Sequence, residues 1–473
     1  MMILIKGIGL ILILLVIGDT ANRLIFRSRF VVPWPLRFSI AYGFGTGMLA
    51  LLLFYGSYLG LKLNLLTILF IASLFLPLFF LRLFQNSNNR ALPSSRKKGI
   101  FEYLLLLLIL LSVSVVFFKA LFLPMHLSDD RGQWGLQAKK IYLAESIYAE
   151  DFYDTELAQL HINYPFLIPI IETSFYCFYG KTDDVFIKLP FPIYFLCLLL
   201  FFYSSQRNYA SHSHALFFTA MLAVLPSFIQ DVNGNPSSGY ADVPFTFYYF
   251  VSGVSIFNWI KNNKRRDILL GSIFIVFAMF TKQEGMIVWG GIVAGVVFFL
   301  LLDQTCGKIA KVKDFSLFVF FPLVLLIPWF YFKSTLSMAA WEGDWNLFNF
   351  TPQYIYSHFD RIPYILKALL TNFLTPKSWN YIWPLFGFTV IFFFRKTFKF
   401  PQLFLLLIVG INVLALFSAI FLYPWPWWYN FLYDMFRVLM MNIPFILFFV
   451  SFQLAQEKEF LNLTFFAKPN SAE

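Results

Sequence analysis

About thirteen separate apolar runs, each near the length that crosses a bilayer, decide most of what this chain can fold into. The hydrocarbon layer is roughly 30 Å thick, so a spanning helix needs about 20 mostly apolar residues. The runs cover 3–18, 38–60, 65–84 and 101–122, then 189–203, 214–229, 241–260, 268–281, 286–302 and 315–332. The last three are 379–394, 401–421 and 438–452. Backbone surrounded by lipid must satisfy its own hydrogen bonds, so each run is expected to be helical.

Only 13% of residues are charged and 59% are hydrophobic, whereas soluble domains average about 25% charged. No stretch is long and polar enough to form a separate soluble domain. The expected fold class is an all-α polytopic membrane protein. It divides into N-terminal transmembrane helices (1–100), a core with one large external loop at 123–188 (101–332), and a second external loop with the C-terminal helices (333–473). Residues 3–17 resemble a signal peptide, but the lone Lys6 sits among them, Arg23, Arg27 and Arg29 follow, and no cleavage site appears near Asp19. A retained helix is expected.

The net charge of +11 calls for no nucleic-acid partner. The basic residues lie in short connectors, Arg23–Arg37, Arg90–Lys98, Lys261–Arg266, Lys308–Lys313 and Arg395–Lys399, as positive-inside topology requires. All five fall on one side if the runs alternate with the N-terminus outside. Residues 164–179 look membrane-like, but counting them as a span would put three of the basic connectors outside. Their length, with Pro165, Pro169 and Glu172, suits a helix lying at the interface. Cys177, Cys197 and Cys306 have no metal-ligand spacing.

Charge is scarce, so its clustering at one face is informative. Asp129 and Asp130 directly follow the 101–122 run. A hydrated carboxylate there can act as general base towards an acceptor hydroxyl, or simply be a solvated partner for Arg131 or Lys139. Lys188 precedes Leu189-Pro190 at a helix mouth, Asp242 opens another in Gly239-Tyr-Ala-Asp-Val-Pro244, and Lys282 and Glu284 lie in Thr281-Lys-Gln-Glu-Gly285. Arg437 follows the aromatic loop Tyr423–Tyr429. Each has an ordinary reading as a snorkelling end group. Together they bring acids and bases from five separated segments to one face. Ionisable residues at the bilayer midplane, the mark of a conduction path, are nearly absent. The aromatics of the external loops (Trp341, Trp345, Phe348, Tyr354, Tyr356) fit an interfacial belt better than a sugar platform.

The order of these motifs resembles a known family. It runs: an acidic pair after a span, Trp134-x3-Ala138-Lys139, His161-x2-Tyr164-Pro165, Lys188-Leu-Pro190, Ala241-Asp-x-Pro244, then Thr281-Lys282. It looks like the GT-C superfamily of membrane glycosyltransferases, nearest to bacterial relatives of protein O-mannosyltransferase and lipid A aminoarabinose transferase. The likeness covers about residues 101–300 well and the C-terminal third loosely. It implies a GT-C-like bundle with juxtamembrane helices on the periplasmic side of the inner membrane. It also implies a polyprenyl-phosphate sugar as donor and a glycan, lipid or protein hydroxyl as acceptor, with inversion and no resident cofactor. Asp129 matches the family's base, Asp130 its acidic neighbour, and Asp242 the acid of a later external loop. Lys188, where relatives commonly carry Arg, matches a donor-phosphate position, as do His161 and Lys282; Arg437 is a further candidate for that phosphate. The alternatives are a transporter or flippase for a lipid-linked glycan, and a scaffold without activity.

The topology is checked by an impermeant thiol reagent applied to single cysteines placed at 95 and 160. Labelling from opposite sides is expected, and labelling from the same side rejects the thread.

Overall fold

The computed structural model describes residues 2–26, 33–85, 99–153, 164–302, 308–336, 351–423 and 426–457. Among the described residues every regular element is helical. The chain opens with α1 (Met2–Phe26), α2 (Trp34–Tyr58), α3 (Leu65–Gln85) and α4 (Ile100–Phe122). The large loop contributes α5 (Gly135–Ala144) and α6 (Leu167–Tyr179). The core continues as α7 (Pro190–Gln206), α8 (His212–Ala223), α9 (Pro226–Ile229), α10 (Asp242–Asn262), α11 (Arg265–Thr281), α12 (Glu284–Leu302) and α13 (Lys308–Thr335). Short α14 (Pro352–Tyr356), α15 (Ile362–Leu374) and α16 (Pro376–Trp379) precede α17 (Ile382–Phe392) and α18 (Phe394–Thr397). The chain closes with α19 (Gln402–Phe421), α20 (Asn430–Leu439) and α21 (Ile443–Gln456).

Each of the expected apolar runs contains helix, but fewer can cross a membrane alone. Eight helices among the described residues have the length and apolarity: Met2–Phe26, Trp34–Tyr58, Ile100–Phe122, Phe186–Gln206, Glu284–Leu302, Ile309–Thr335, Gln402–Phe421 and Asn430–Gln456. The others fall short for visible reasons. The 214–229 run is broken at Val224-Leu225, where Pro226 starts a fresh turn, and α17 has only 11 residues. In α10, buried Asp242, Thr246, Ser252 and Ser255 dilute the apolar character of a helix otherwise long enough. The protein is a helical, multi-pass membrane protein.

The 164–179 segment differs from expectation. Its helix, α6, is not laid on a surface: Leu167 through Tyr176 are all buried, and it is enclosed by α1, α2 and α5. An interfacial helix needs a wet face, and α6 has none.

Close helix approach organises the N-terminal part. A Cβ on Gly18 would meet the Ala41 carbonyl oxygen at 1.7 Å, and one on Gly45 would meet that of Leu14 at 1.8 Å. Backbone therefore lies on backbone where α1 crosses α2, the small-residue packing that replaces hydrophobic drive in lipid. Arg37 closes the same hairpin with a two-pronged bond to Asp19 (2.7 and 2.8 Å).

Charged connectors separate by end. Phe44 meets Phe274 and Phe54 meets Phe280 (5.4 and 5.3 Å), so α2 and α11 run parallel and Arg37 shares an end with Arg265. Arg265 pairs with Asp314 (3.5 Å), and Lys261 lies over Tyr209 and Phe452 (4.0 and 4.9 Å). Lys6 donates to the Tyr179 carbonyl at the other end. Asp242 and Lys261 stand near opposite ends of α10, a 21-residue helix and therefore about 30 Å long.

Gly45→Leu is expected to force α1 from α2 and destabilise the protein by about 1–3 kcal/mol or more. A lowered melting temperature in detergent reports it, whereas Gly9→Leu, where a Cβ meets nothing within 4 Å, leaves it unchanged.

Candidate functional site

The site is assembled from helix ends whose partial charges suit the residues they carry. Asp242 is the first residue of α10 and Glu284 the first of α12, where carboxylates oppose the positive end of the helix dipole. Lys282 caps the C-terminus of α11 and Arg437 lies in the last turn of α20, where cations belong. The α11–α12 connection is tight enough to bring Lys282 and Glu284 side by side. Gly285 permits it, since a Cβ there would lie 2.4 Å from the Met279 Cα.

These ends form one ion network. The Lys282 ammonium sits 3.2 Å from Asp242 Oδ1 and 3.0 Å from Glu284 Oε1. The Arg437 guanidinium bonds Asp129 Oδ2 at 2.9 Å and stands 3.5 Å from Asp242 Oδ2. Asp242 and Lys282 are buried, while the Asp129 side chain is 38% exposed. Burial works to lower the Lys282 pKa, but Asp242 and Glu284 outweigh it and hold the amine firmly protonated. A small pocket opens beside the network, lined by Asp242, Phe245, Thr246, Lys282, Glu284 and Arg437 with Val438 and Met441.

An irregular segment at 230–241, buried from residue 234 onward, carries the chain into α10. It meets its own polar needs, as backbone away from water must. Asn235 Oδ1 accepts from the Ser237 and Ser238 amides, and the Ser238 hydroxyl returns to the Asn235 carbonyl. Gly234 adopts φ +81°, and a Cβ there would press on Arg437 Cγ at 3.1 Å and Asp242 Cγ at 3.3 Å. Tyr240 lies under Arg437 (4.6 Å to the ring) and accepts the Asp129 backbone N–H. Burial and the Asp129 charge push its phenol up to about 12, so it stays protonated.

The acidic pair does not act as a pair. Successive residues on a helical turn do not face each other. Asp129 turns to Arg437, whereas Asp130, the first residue of a π-helical turn (Asp130–Trp134), turns inward. Asp130 and Glu172 are buried on either side of Gly239, and none of their four carboxyl oxygens has a hydrogen-bond partner among the described residues. Burial raises both pKa values, that of Glu172 far above the ordinary carboxyl range.

Lys188, expected on the same face as a donor-phosphate residue, does not join this network. Its amine donates to the Pro124 carbonyl (3.4 Å), and the charges acting on it are Asp130 and Asp231. Asp231 also takes His126 (2.9 Å). Lys188, just before α7, is buried against the 124–130 strap. His161 lies outside the described residues. Asp129, Asp242, Lys282 and Arg437 are brought together as a group. Glu284, although in the Thr-Lys motif, and Thr246, one turn beyond Asp242, were not singled out as site residues. Spacing from Asp242 alone was the available signal for Thr246.

No family model, curated protein or solved structure matches this chain.

Glu172 gives a pH test. Its folded pKa is raised, so the native state holds the proton more tightly than the unfolded chain. Stability from that proton is full below the ordinary carboxyl pKa and is lost as pH rises towards the folded value. Every tenfold gain in proton affinity on folding is worth about 1.4 kcal/mol. Glu172→Gln is expected to flatten the decline of melting temperature between acid and alkaline pH; parallel curves for the two proteins would refute a neutral Glu172.

Proposed function

We propose that the protein is a glycosyltransferase that moves a sugar from a polyprenyl-phosphate carrier to an acceptor hydroxyl at the outer face of a bacterial cytoplasmic membrane. The observation that carries this reading is the ion network, which joins four separated segments at the helix ends opposite the basic connectors. A thread of thirteen passes, with the shorter helices crossing beside longer ones, puts those connectors in the cytoplasm and the network outside. The order of motifs resembling the GT-C superfamily points the same way.

In this reaction the acceptor oxygen forms a bond to the anomeric carbon as the bond from that carbon to the phosphate oxygen breaks. The lipid phosphate leaves with the electron pair. Asp129, the most exposed carboxylate of the network, takes the acceptor proton. Arg437 is the cation nearest that edge and stabilises charge developing on the leaving phosphate. Lys282 holds Asp242 and Glu284. Lys188, which bonds the Pro124 carbonyl and is not part of the ion network, has a weaker claim on the phosphate than Arg437. A prenyl tail lies among the outward-facing apolar helices, of which α4 exposes Leu104, Leu107, Leu108 and Leu111.

One observation favours the flippase reading. Asn412 bonds both Tyr249 and Asn442 (2.8 Å each), all fully buried, extending polar groups beyond the first turns of α10. Vectorial movement of a labelled lipid-linked sugar in proteoliposomes, with no bond transferred, would decide for it.

Asp129→Asn is expected to lower transfer by about 10²–10⁴-fold, the usual worth of a general base, while insertion and melting temperature hold. Full transfer by the reconstituted variant would remove Asp129 as base.

A further inference from the structure

Helix α15 carries three kinds of surface on one short cylinder. Each residue advances about 100° around a helix axis, so the 13 residues of Ile362–Leu374 sort by direction. Ile365 and Leu369, one turn apart, are buried on the side packed into the bundle, where α15 meets α17, α19 and α20. Pro363, Leu366, Leu370 and Leu374 are exposed and fall within an arc of about 80°. Beside them Tyr364, Lys367 and Thr371 form a second exposed arc, which is polar.

These arcs fix the attitude of the helix. At 13 residues it is about 20 Å long, short of the roughly 30 Å hydrocarbon layer. The apolar and polar arcs both run along its length, so lipid and water lie on either side of its axis rather than at its two ends. Such a helix lies parallel to a membrane surface, with its apolar side sunk at the headgroup boundary.

Its anchors point to the same depth. Arg361, directly before α15, donates to the carbonyls of Phe421 and Tyr423 (3.2 and 2.6 Å), where the membrane-spanning helix α19 ends. The same guanidinium lies over the Trp428 ring (5.1 Å), which Tyr364 meets edge-on (6.0 Å). Tryptophan and tyrosine concentrate at membrane–water interfaces. Near its other end Phe373 stacks on Trp383 of α17 (4.2 Å), and α17 continues the apolar exterior with Phe388, Ile391 and Phe392. A partner protein is the other occupant such a stripe could take. Leucines are poor interface anchors, and the arc has no Trp or Arg of its own, which favours fluid acyl chains.

We propose that α15 is an in-plane membrane helix on the side of the ion network, with Leu366, Leu370 and Leu374 at the acyl boundary of the phospholipid leaflet and Lys367 at its phosphates. It fills the surface role expected of residues 164–179, whose helix α6 is enclosed. Because α15 packs on α20, the leaflet supports the helix that carries Arg437. This placement is independent of the reaction proposed above.

The test is nitroxide accessibility on the full-length protein carrying Cys177→Ala, Cys197→Ala and Cys306→Ala, in vesicles of equal parts phosphatidylcholine and phosphatidylglycerol. Labels are placed singly by Leu366→Cys, Leu370→Cys, Lys367→Cys and Thr371→Cys. The ratio of oxygen to nickel-chelate accessibility at the two leucine positions is expected to exceed that at the other two severalfold. Equal ratios at all four overturn the proposal. So do leucine labels that are immobile and closed to both reagents, the signature of a covering protein or a second copy. Brominated phospholipid checks the placement without the cysteine background. It should quench the added fluorescence of Leu366→Trp severalfold more than that of Thr371→Trp, and equal quenching rejects the in-plane helix.

Discussion

The buried pair of Asp242 and Lys282 is the interaction on which the outer end of the bundle depends. Removing two charges from water is expensive, and their attraction repays it only when further groups complete the site. Here the completion comes from Glu284 on one side and Arg437 on the other. Each partner is delivered by a helix end of matching polarity. Breaking the pair would leave a buried charge short of its counter-ion, and the α10, α11, α12 and α20 ends would lose their common anchor. The pocket, Asp129 and Arg437 at its edge therefore share one structural origin.

Charge pairing also explains why a site this polar can sit so close to lipid. Carboxylates and cations alternate through Asp129, Arg437, Asp242, Lys282 and Glu284, so each cation lies between two carboxylates. The inner acids follow another rule. Asp130 and Glu172 have no hydrogen-bonding cation among the described residues, and burial raises both their pKa values, that of Glu172 far above the ordinary carboxyl range.

Much of this was legible in the chain itself. Apolar runs became helices because backbone in lipid has no other choice, and Asp129, Asp242, Lys282 and Arg437 stood out because charge is rare here. What was not legible depends on direction rather than position. Asp129 and Asp130 are neighbours in sequence but point apart, and only the helical register of the strap says which faces Arg437. Lys188 keeps the expected motif yet spends its amine on the Pro124 carbonyl beside Asp130. Glu172 argued against a span, but nothing local told that its helix would be enclosed by three others. Thr246 reads as an ordinary helical threonine until its hydroxyl is found unreturned to the backbone. Length alone did not tell which runs are long and apolar enough to cross unaided, because Pro226 interrupts one run and buried serines and an acid dilute another.

The contact of α1 with α2 has a consequence for how the protein is made. Its key elements, Leu14, Gly18, Asp19, Arg37, Ala41 and Gly45, lie within one short stretch of chain, so the hairpin can close without help from any later helix. A ribosome still producing the core would already have a finished two-helix post in the membrane. The enclosed helix α6, which has no wet face and cannot rest on the surface alone, then finds α1 and α2 waiting as walls. Assembly order is in this way written into where the glycines fall.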